Sequence, residues 1–581
     1  MSQVEAVEAA RPDDVRRRRT IPNLWRNSLA AGHPEPAYLH EVDGDWRPVT
    51  RPEAARAIDE IANGLLALGL RKGDAVALIG RTTLEWALVD FALGLVGAVG
   101  APVYANSSAR DVQYVLAHSR AVAAVVEDAD QREKLGAFAG AVVTFDDLDE
   151  LRARGRAHAE AHPGALDERA DAVGEDDLFT FIYTSGTTGP PKACMIRHRN
   201  YYAMVAKADE LEDRLTGPDD VMLLYLPLAH NYGRLLHLSA AYVGYTLAFL
   251  PDPLSAAAEL PRVRPTLFPS VPRVYEKIHT AVRAGLEAET GVKRRVAEWS
   301  LSVGYRVSQL QQARRPVPPL LAAQHTLADR LVYSKVKSRL GGRLRVANSG
   351  GAPLAREIAE FFHALGILVL EGYGLSEVTT AATVNRPGDF KFGTVGKPLP
   401  GVEIEIADDG EILIRSDTVF AGYYDDPAAT AETLDGRGFV HTGDVGYLDE
   451  DGFLVITDRK KDIIVTAGGK NVAPQNLENE LKAHTVVSQA LVVGDRRPYV
   501  AALVTVDPAA TAGMSPEDVH AAVERAVAEV NEGRSRYEQI KRFRILPREF
   551  TLEEDEVTPT LKLRRRVIVE HFADDVEQLY A

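Results

Sequence analysis

The chain has 581 residues, enough for several domains with sizeable cores, and its 46% hydrophobic and 26% charged residues are ordinary for globular protein. A net charge of −16 argues against a nucleic-acid footprint, because phosphate backbones select basic faces. The lone cysteine, Cys194, excludes an intramolecular disulfide framework and fits a reducing cytoplasm, and Arg16 to Arg19 lead into no apolar stretch long enough for a signal peptide, so export is not expected.

Tyr38, Leu39 and Val42, then Asp43-Gly44, then Trp46 and Val49 predict a hairpin. An apolar strand over 75–79, a helix over 84–95 and a strand over 100–104 predict a βαβ unit. The most apolar run, 91–101, is preceded by Asp90 and stopped by Pro102, and reads as a buried core helix and not a membrane span. Strands over 122–126 and 141–145 alternate with helical stretches, so the first half reads as an open, mostly parallel sheet covered by helices. Ligands in such sheets sit at the carboxyl ends of the strands. Residues 152–174 are polar and read as a surface segment with no assigned role.

The apolar run 178–182 opens into Tyr183-Thr184-Ser185-Gly186-Thr187-Thr188-Gly189-Pro190-Pro191-Lys192. Gly186 and Gly189 let the backbone approach a ligand, the hydroxyls of Thr184, Ser185, Thr187 and Thr188 suit phosphate oxygens, and Lys192 adds a point charge. The glycine spacing is not that of a Walker A loop, which disfavours a kinase or P-loop ATPase. By composition alone the loop reads equally as a Gly/Ser/Thr-rich turn. The whole string, however, resembles the signature loop of the adenylate-forming (AMP-binding) enzymes, among them acyl-CoA synthetases, firefly luciferase and peptide-synthetase adenylation domains. Ala193 stands where long-chain relatives often carry glycine; if that position needs positive φ, alanine is strained there by roughly 1 kcal/mol.

Strand-like residues 221–226 lead into Pro227-Leu228-Ala229-His230-Asn231-Tyr232-Gly233-Arg234. A lone histidine at a strand end is more often structural; the resemblance places His230 beside the carboxylate-binding site. Val271-Pro272-Arg273-Val274-Tyr275-Glu276-Lys277 is, as bare chemistry, a proline-marked turn into a helix, and looks like the long-chain acyl-CoA synthetase branch. Val292, Val296, Trp299, Val303, Val307 and Leu310 keep helical spacing with Lys293, Arg294 and Arg295 to the side. That is a helix packed on its own domain or, as the sharper alternative, a membrane-interface helix with a basic face.

A strand over 344–347 ends in Asn348-Ser349-Gly350-Gly351-Ala352-Pro353, and one over 367–370 ends in Glu371-Gly372-Tyr373-Gly374-Leu375-Ser376-Glu377. Together they resemble the family's adenine pocket. The resemblance implies nucleotide contacts at Gly351, Ala352, Pro353, Glu371, Gly372, Tyr373, Gly374 and Ser376, with Tyr373 stacked on the base and magnesium held by Glu377 with Thr184. Three hairpin-like repeats, the second ending in Gly422-Tyr423-Tyr424, predict a small β subdomain. Within it, Thr442-Gly443-Asp444 resembles the family motif whose carboxylate accepts both ribose hydroxyls. The charge run at 458–462 is ordinarily a solvated surface. Its resemblance is to the family hinge, with Arg459 as a ribose or phosphate contact, Lys461 as the pivot and Gly469 as the approach for the thiol arm. Strands over 489–493 and 500–506 alternate with helices near 477–483 and 516–530, and Lys562, in a loop leading into a helix, matches the family's catalytic lysine.

The expected fold is α/β. A large N-terminal adenylation domain, 1–460, has mostly parallel sheets covered by helices and a β subdomain at 395–458; it is hinged to a smaller α/β C-terminal domain, 461–581, that carries the catalytic lysine. The resemblance implies ATP-dependent activation of a long-chain fatty acid to acyl-AMP with release of pyrophosphate, then transfer to coenzyme A, with Lys562, Lys192 and His230 as catalytic residues and Mg²⁺ as the metal. An acyl carrier protein as acceptor is the alternative, and a non-catalytic acyl or nucleotide sensor the remote one. Arg534, Arg536, Lys541, Arg542 and Arg544 could meet the phosphates of coenzyme A or be solvated surface. A cytoplasmic protein is expected, with peripheral membrane contact left open.

Overall fold

Two sheets, joined through the helices between them, make up the larger part of the molecule; the computed structural model describes residues 17–184, 190–207, 210–211, 213–558 and 562–581. The first sheet has six strands in the spatial order Ala141–Thr144, Ala123–Val126, Ala75–Gly80, Val99–Tyr104, Leu178–Thr184 and Lys192–Arg197; all are parallel except the last. Ala75–Gly80 is buried along its whole length, which is why it reads as a continuous apolar run instead of alternating. Its crossover helix, Leu84–Val96, starts where the Thr83 side chain accepts from Trp86 N and ends where Gly97 turns left-handed at φ 66°.

The second sheet has nine strands. Leu368–Tyr373, Val346–Ser349, Leu267–Ser270, Val221–Leu224, Thr246–Phe249 and Tyr38–Val42 run parallel in that order, with antiparallel strands at both ends. The predicted hairpin forms one of those ends, turning on Asp43 and Gly44 at φ 52° and 82°. A buried ion pair joins the two sheets: Arg234, on helix Asn231–Val243, donates through Nε to Asp90 Oδ2 at 3.0 Å and through Nη1 to Thr180 Oγ1 at 2.6 Å.

Three expectations are refined. Residues 152–174 are mostly exposed, as expected of a surface segment, but they are helical. They complete helix Leu148–Ala161 and form helix Ala165–Asp171, and Gly155 packs so closely on helix Arg51–Ala67 that a Cβ there would lie 1.8 Å from the Glu60 carbonyl oxygen. Gly422-Tyr423-Tyr424 does not close a hairpin; it adds to the edge of the first sheet, with Met195 N donating to Gly422 O and Tyr424 N to Ala193 O, both at 2.9 Å. Ala193 sits in that strand opposite Tyr183 and is not among the residues with positive φ, so the condition for strain is not met and alanine is tolerated there.

Helix Gly291–Gln312 buries Val303 and Val307, and a Cβ on Gly304 would meet Ala364 O at 2.2 Å, so it packs on helix Arg356–Ala364 of its own lobe. No helix among the described residues is long and apolar enough to cross a membrane. A four-stranded antiparallel sheet follows: Glu403–Ile406, Glu411–Arg415, Val440–Leu448 and Leu454–Arg459. From Ile464 on, a separate core forms around strands Val487–Val493, Val500–Val506 and Ile540–Ile545 and helices Pro474–Ala483 and Pro516–Asn531. The strand Ile540–Ile545 has no counterpart in the expected elements.

Candidate active site

Strands of both large sheets end on one cleft of about 2400 Å³, bordered on its other side by the C-terminal lobe. Thr184 ends its strand opposite Lys192 and donates through Oγ1 to Lys192 O at 3.4 Å. Ser185, Gly186, Thr187, Thr188 and Gly189 lie outside the described residues. Lys192 Nζ stands 5.1 Å from the centre of the Tyr423 ring, and the Tyr423 hydroxyl donates to Glu377 Oε1 at 2.6 Å. Loop cation, aromatic ring and acid thus form one continuous wall. In the sequence Tyr423 carries no site role, and its only signal is the Tyr pair after Gly422 at a predicted hairpin end.

Glu377 sits within a tight turn that runs from Gly374 to Thr380. A Cβ on Gly374 would lie 1.8 Å from Thr380 O, and Thr379 and Thr380 take φ of 54° and 98°, a conformation that β-branched residues rarely adopt. The turn is tied down by Thr379 Oγ1 donating to Thr418 O at 2.6 Å and Thr380 Oγ1 to Asn231 O at 3.2 Å. Nothing local in Ser376-Glu377-Val378-Thr379-Thr380 announces this strain.

The Tyr373 hydroxyl donates to Asp444 Oδ2 at 2.6 Å, while Arg459 Nε stands 3.2 Å from Asp444 Oδ1. Asp444 is only 6% exposed. An ionised carboxylate offers about four lone-pair sites, so both oxygens can accept further hydroxyl donors. Gly351, Gly372, Gly374 and Ser376 line the same cleft. Ala352 and Pro353 stand outside it, and Glu371 lies beneath, accepting from Leu354 N at 2.9 Å, its carboxyl pushed up to about 8 by burial.

His230 borders the cleft at the start of helix Asn231–Val243, where its Nδ1 accepts from Tyr232 N at 3.1 Å. That bond leaves the proton of the neutral ring on Nε2, and burial, helped by the Lys562 charge, pushes the imidazolium down to about 3. His230 is therefore a neutral donor and not a cation or base at pH 7. Beyond it an apolar arm of the cleft is lined by Met204, Leu215, Met222, Leu235, Leu236 and Leu399, none of them singled out from the sequence. The leucines of the helix face are its one sequence signal.

Lys562 enters from the C-terminal lobe. Burial and the neighbouring Arg459 lower its ammonium from 10.5 to about 8, opposed by Asp444 and Glu377. Lys461 also borders the cleft, whereas Gly469, at φ 69°, stands in an exposed turn away from it. Of the basic residues considered for a thiol substrate, Arg534 is engaged by Glu480, Arg544 by Asp575 at 2.9 Å and Arg542 by Ala581 O at 2.8 Å. The arrangement sets cations and acids from two lobes around one space, suited to binding a polyphosphate and stabilising charge that develops on it.

A sequence profile described as AMP-binding enzyme matches residues 27–424, and one described as AMP-binding enzyme C-terminal domain matches residues 461–581. The chain is 40% identical over 568 residues to the long-chain-fatty-acid–CoA ligase FadD15 of Mycobacterium bovis, covering 94% of each chain. It is 31% identical to the long chain acyl-CoA synthetase 7, peroxisomal, of Arabidopsis thaliana, covering 93% of this chain and 82% of that one. Among solved structures, the adenylation domain of a carboxylate reductase from Mycobacterium chelonae superposes with a TM-score of 0.78 at 24% identity, covering 98% of this chain and 93% of the other. ATP-bound MatB from Rhodopseudomonas palustris does so at 0.70 and 24%, covering 95% and 99%.

Proposed function

Since the chain belongs to the AMP-binding enzyme family, in its long-chain acyl-CoA synthetase branch, we propose that it activates a long-chain fatty acid with ATP and passes the acyl group to coenzyme A. One observation carries this reading: Lys562 of the C-terminal lobe shares a cleft with Glu377, Asp444, Arg459 and Lys192 of the larger lobe.

A carboxylate does not react usefully with a thiol, because the leaving group would be oxide. In the first step a carboxylate oxygen attacks the α-phosphorus of ATP, the bond from that phosphorus to the bridging oxygen breaks, and pyrophosphate leaves. Two anions meet, so catalysis rests on positioned cations and donors. Lys562 bridges carboxylate and α-phosphate, His230 offers its Nε2–H to the carboxylate, and Lys192 with the 184–189 loop holds the departing phosphates. Asp444 accepts the ribose hydroxyls, Arg459 backs it, and Tyr373 faces the adenine with Gly351, Gly372, Gly374 and Ser376. Ala352, Pro353 and Glu371 act from behind, shaping those loops.

Glu377 fits a magnesium ion: its carboxylate borders the cleft with only the Tyr423 hydroxyl and the Cys194 thiol, a weak donor, beside it, and magnesium takes one or two carboxylates beside phosphate oxygens and water. Thr184 is the second proposed donor; a bound ion would neutralise phosphate charge. In the second step the thiolate attacks the acyl carbon and AMP leaves. Lys562 would obstruct the thiol, so the C-terminal lobe, 461–581, turns about Lys461 against the lobe formed by 1–460 and brings the Gly469 face to the cleft.

Pyrophosphate release with palmitate, with and without coenzyme A, tests the reading. Acid-dependent release and a thioester are expected. No release would leave a sensor, and release without thioester would favour an acyl carrier protein as acceptor.

For a peripheral membrane contact we propose residues 319–339 in place of the packed helix Gly291–Gln312: two short helices joined by a π turn, where Leu320, Leu327 and Leu331 are 74%, 50% and 42% exposed. Arg330, Lys335 and Arg339 stand exposed on the same segment of a chain whose net charge is −16, so an anionic lipid surface is the complementary partner. Sedimentation with phosphatidylglycerol vesicles should be lost in Leu327→Glu with Leu331→Glu; undiminished binding refutes the assignment.

A further inference from the structure

The motif running from Val271 to Lys277 has no part in the reaction as described, yet it joins the two lobes. It opens helix Pro272–Glu287 straight after strand Leu267–Ser270, and Tyr275 pins that helix by donating to Phe268 O at 2.7 Å and Asn348 O at 3.1 Å. From this fixed base the Arg273 guanidinium reaches the C-terminal lobe, donating to the Ser488 carbonyl, to Ser488 Oγ at 2.5 Å and to Glu549 Oε1 at 3.0 Å. One turn on, Glu276 accepts from Lys482 Nζ at 3.0 Å. The Arg273 and Glu276 side chains are 18% and 6% exposed. A cation meets an acid in each direction across the interface, largely out of water, so the contact is specific in geometry and is lost as a unit if the lobe turns.

The contact leads on to Lys562. Lys482 lies in the last turn of helix Pro474–Ala483, and Ser488 is the second residue of strand Val487–Val493. The same helix and strand hold Arg565, which donates to Glu478 Oε2 at 2.5 Å and to Val492 O at 3.3 Å. Arg565 lies three residues beyond Lys562. A chain of contacts therefore runs from the Arg273 helix to Arg565, three residues from the lysine that enters the cleft.

We propose that Arg273 and Glu276, with Ser488, Glu549 and Lys482, form a docking clamp: positioning residues that hold Lys562 in the cleft for adenylation and must release before thioester formation. This rests on the two-step ligase reading above. The test measures the half-reactions separately on the full chain: single-turnover acyl-AMP formation from ATP and palmitate, and thioester formation from supplied palmitoyl-AMP with coenzyme A. Arg273→Ala and Lys482→Glu should slow the first by roughly a hundredfold, the loss that a misplacement on the order of 1 Å brings, and leave the second unchanged or faster. Lys482→Arg, which keeps the charge, should restore the first. Because the Lys482 side chain is 22% exposed, its variants report even if Arg273→Ala misfolds. Equal loss in both halves, no loss in the first, or a Lys482→Arg variant as slow as Lys482→Glu would overturn the clamp. Failure of the underlying reading looks different: the wild-type chain itself would then form no acyl-adenylate, which overturns both.

Discussion

Raising the pH is the most direct perturbation of Lys562. Burial disfavours its charged form, Arg459 disfavours it further, and Asp444 and Glu377 recover only part, so the ammonium titrates at about 8 where an exposed lysine would at 10.5. About nine-tenths of the free enzyme then carries the charge at pH 7 and about one-tenth at pH 9. Adenylation needs the protonated form, so the sign is fixed. In the free enzyme kcat/KM for ATP should be level below about pH 8 and fall about tenfold per pH unit above it. Bound triphosphate favours the ammonium, so the fall in kcat should come at higher pH. Pyrophosphate release at constant ionic strength from about pH 6.5 to about pH 9.5 reads both. Glu371 also titrates at about 8, so the profile is repeated in Glu371→Gln, where the inflection should persist. In Lys562→Arg, slower but charged throughout, it should vanish. A level wild-type profile, or the same inflection in Lys562→Arg, refutes the assignment.

Arg234→Met strands Asp90, 0% exposed, without its cation; a loss of roughly 3–5 kcal/mol in denaturant unfolding is expected, and replacing both residues with apolar ones should recover most of it. An Arg234→Met protein as stable as wild type would show that the pair is not what joins the sheets. Gly155→Ala puts a methyl 1.8 Å from Glu60 O and should cost about 1–3 kcal/mol, seen as a lower Tm; an unchanged Tm counts against the close packing. Asp444→Asn removes the anion that faces Arg459 and Tyr373. The KM for ATP should rise about tenfold to a hundredfold, matching the ~1.5–3 kcal/mol of a hydrogen bond to a charged group, with kcat less affected; a fall in kcat at constant KM would exclude a ribose contact.

The parts legible in the sequence are those whose cause is local. Ala75–Gly80 announces itself because both faces are buried, and Asp43-Gly44 because a tight hairpin needs two residues of positive φ. Ile540–Ile545 was illegible for the converse reason: Lys541, Arg542 and Arg544 are exposed on an outer strand, and their charges break the apolar pattern. Polarity marks 152–174 as surface but hides its helices, one of which keeps a solvated outer face while Gly155 allows close approach. In the site, Asp444, Glu377 and Lys562 stand in distinctive strings, but Tyr423 and Thr380 owe their places to segments far along the chain. Arg273 stood in a recognisable motif, yet its partners Ser488 and Glu549 lie 215 and 276 residues away, beyond the reach of any periodicity.

The charges in the cleft bear on why the reading needs a lysine delivered by a mobile lobe. Without nucleotide, Lys562 and Arg459 repel each other, and Asp444 and Glu377 only partly offset the cost of bringing the ammonium out of water. A triphosphate adds several negative charges at the same place, so its binding and lobe docking must favour each other, since whatever binds one state more tightly shifts the equilibrium towards it. Departure of pyrophosphate removes most of that charge while the acyl-adenylate, carrying a single phosphate, stays. The electrostatic reason for docking then weakens at the moment the thiol needs access. The clamp at Arg273 and Glu276 supplies the opposing contribution, a fixed attraction that does not change with the phosphates. Its strength has an optimum: too weak, and Lys562 misses the first step; too strong, and the lobe is slow to turn. Tightening the clamp, for example by Lys482→Arg if it makes a bidentate pair with Glu276, should therefore slow overall turnover at saturating substrates while sparing single-turnover adenylation.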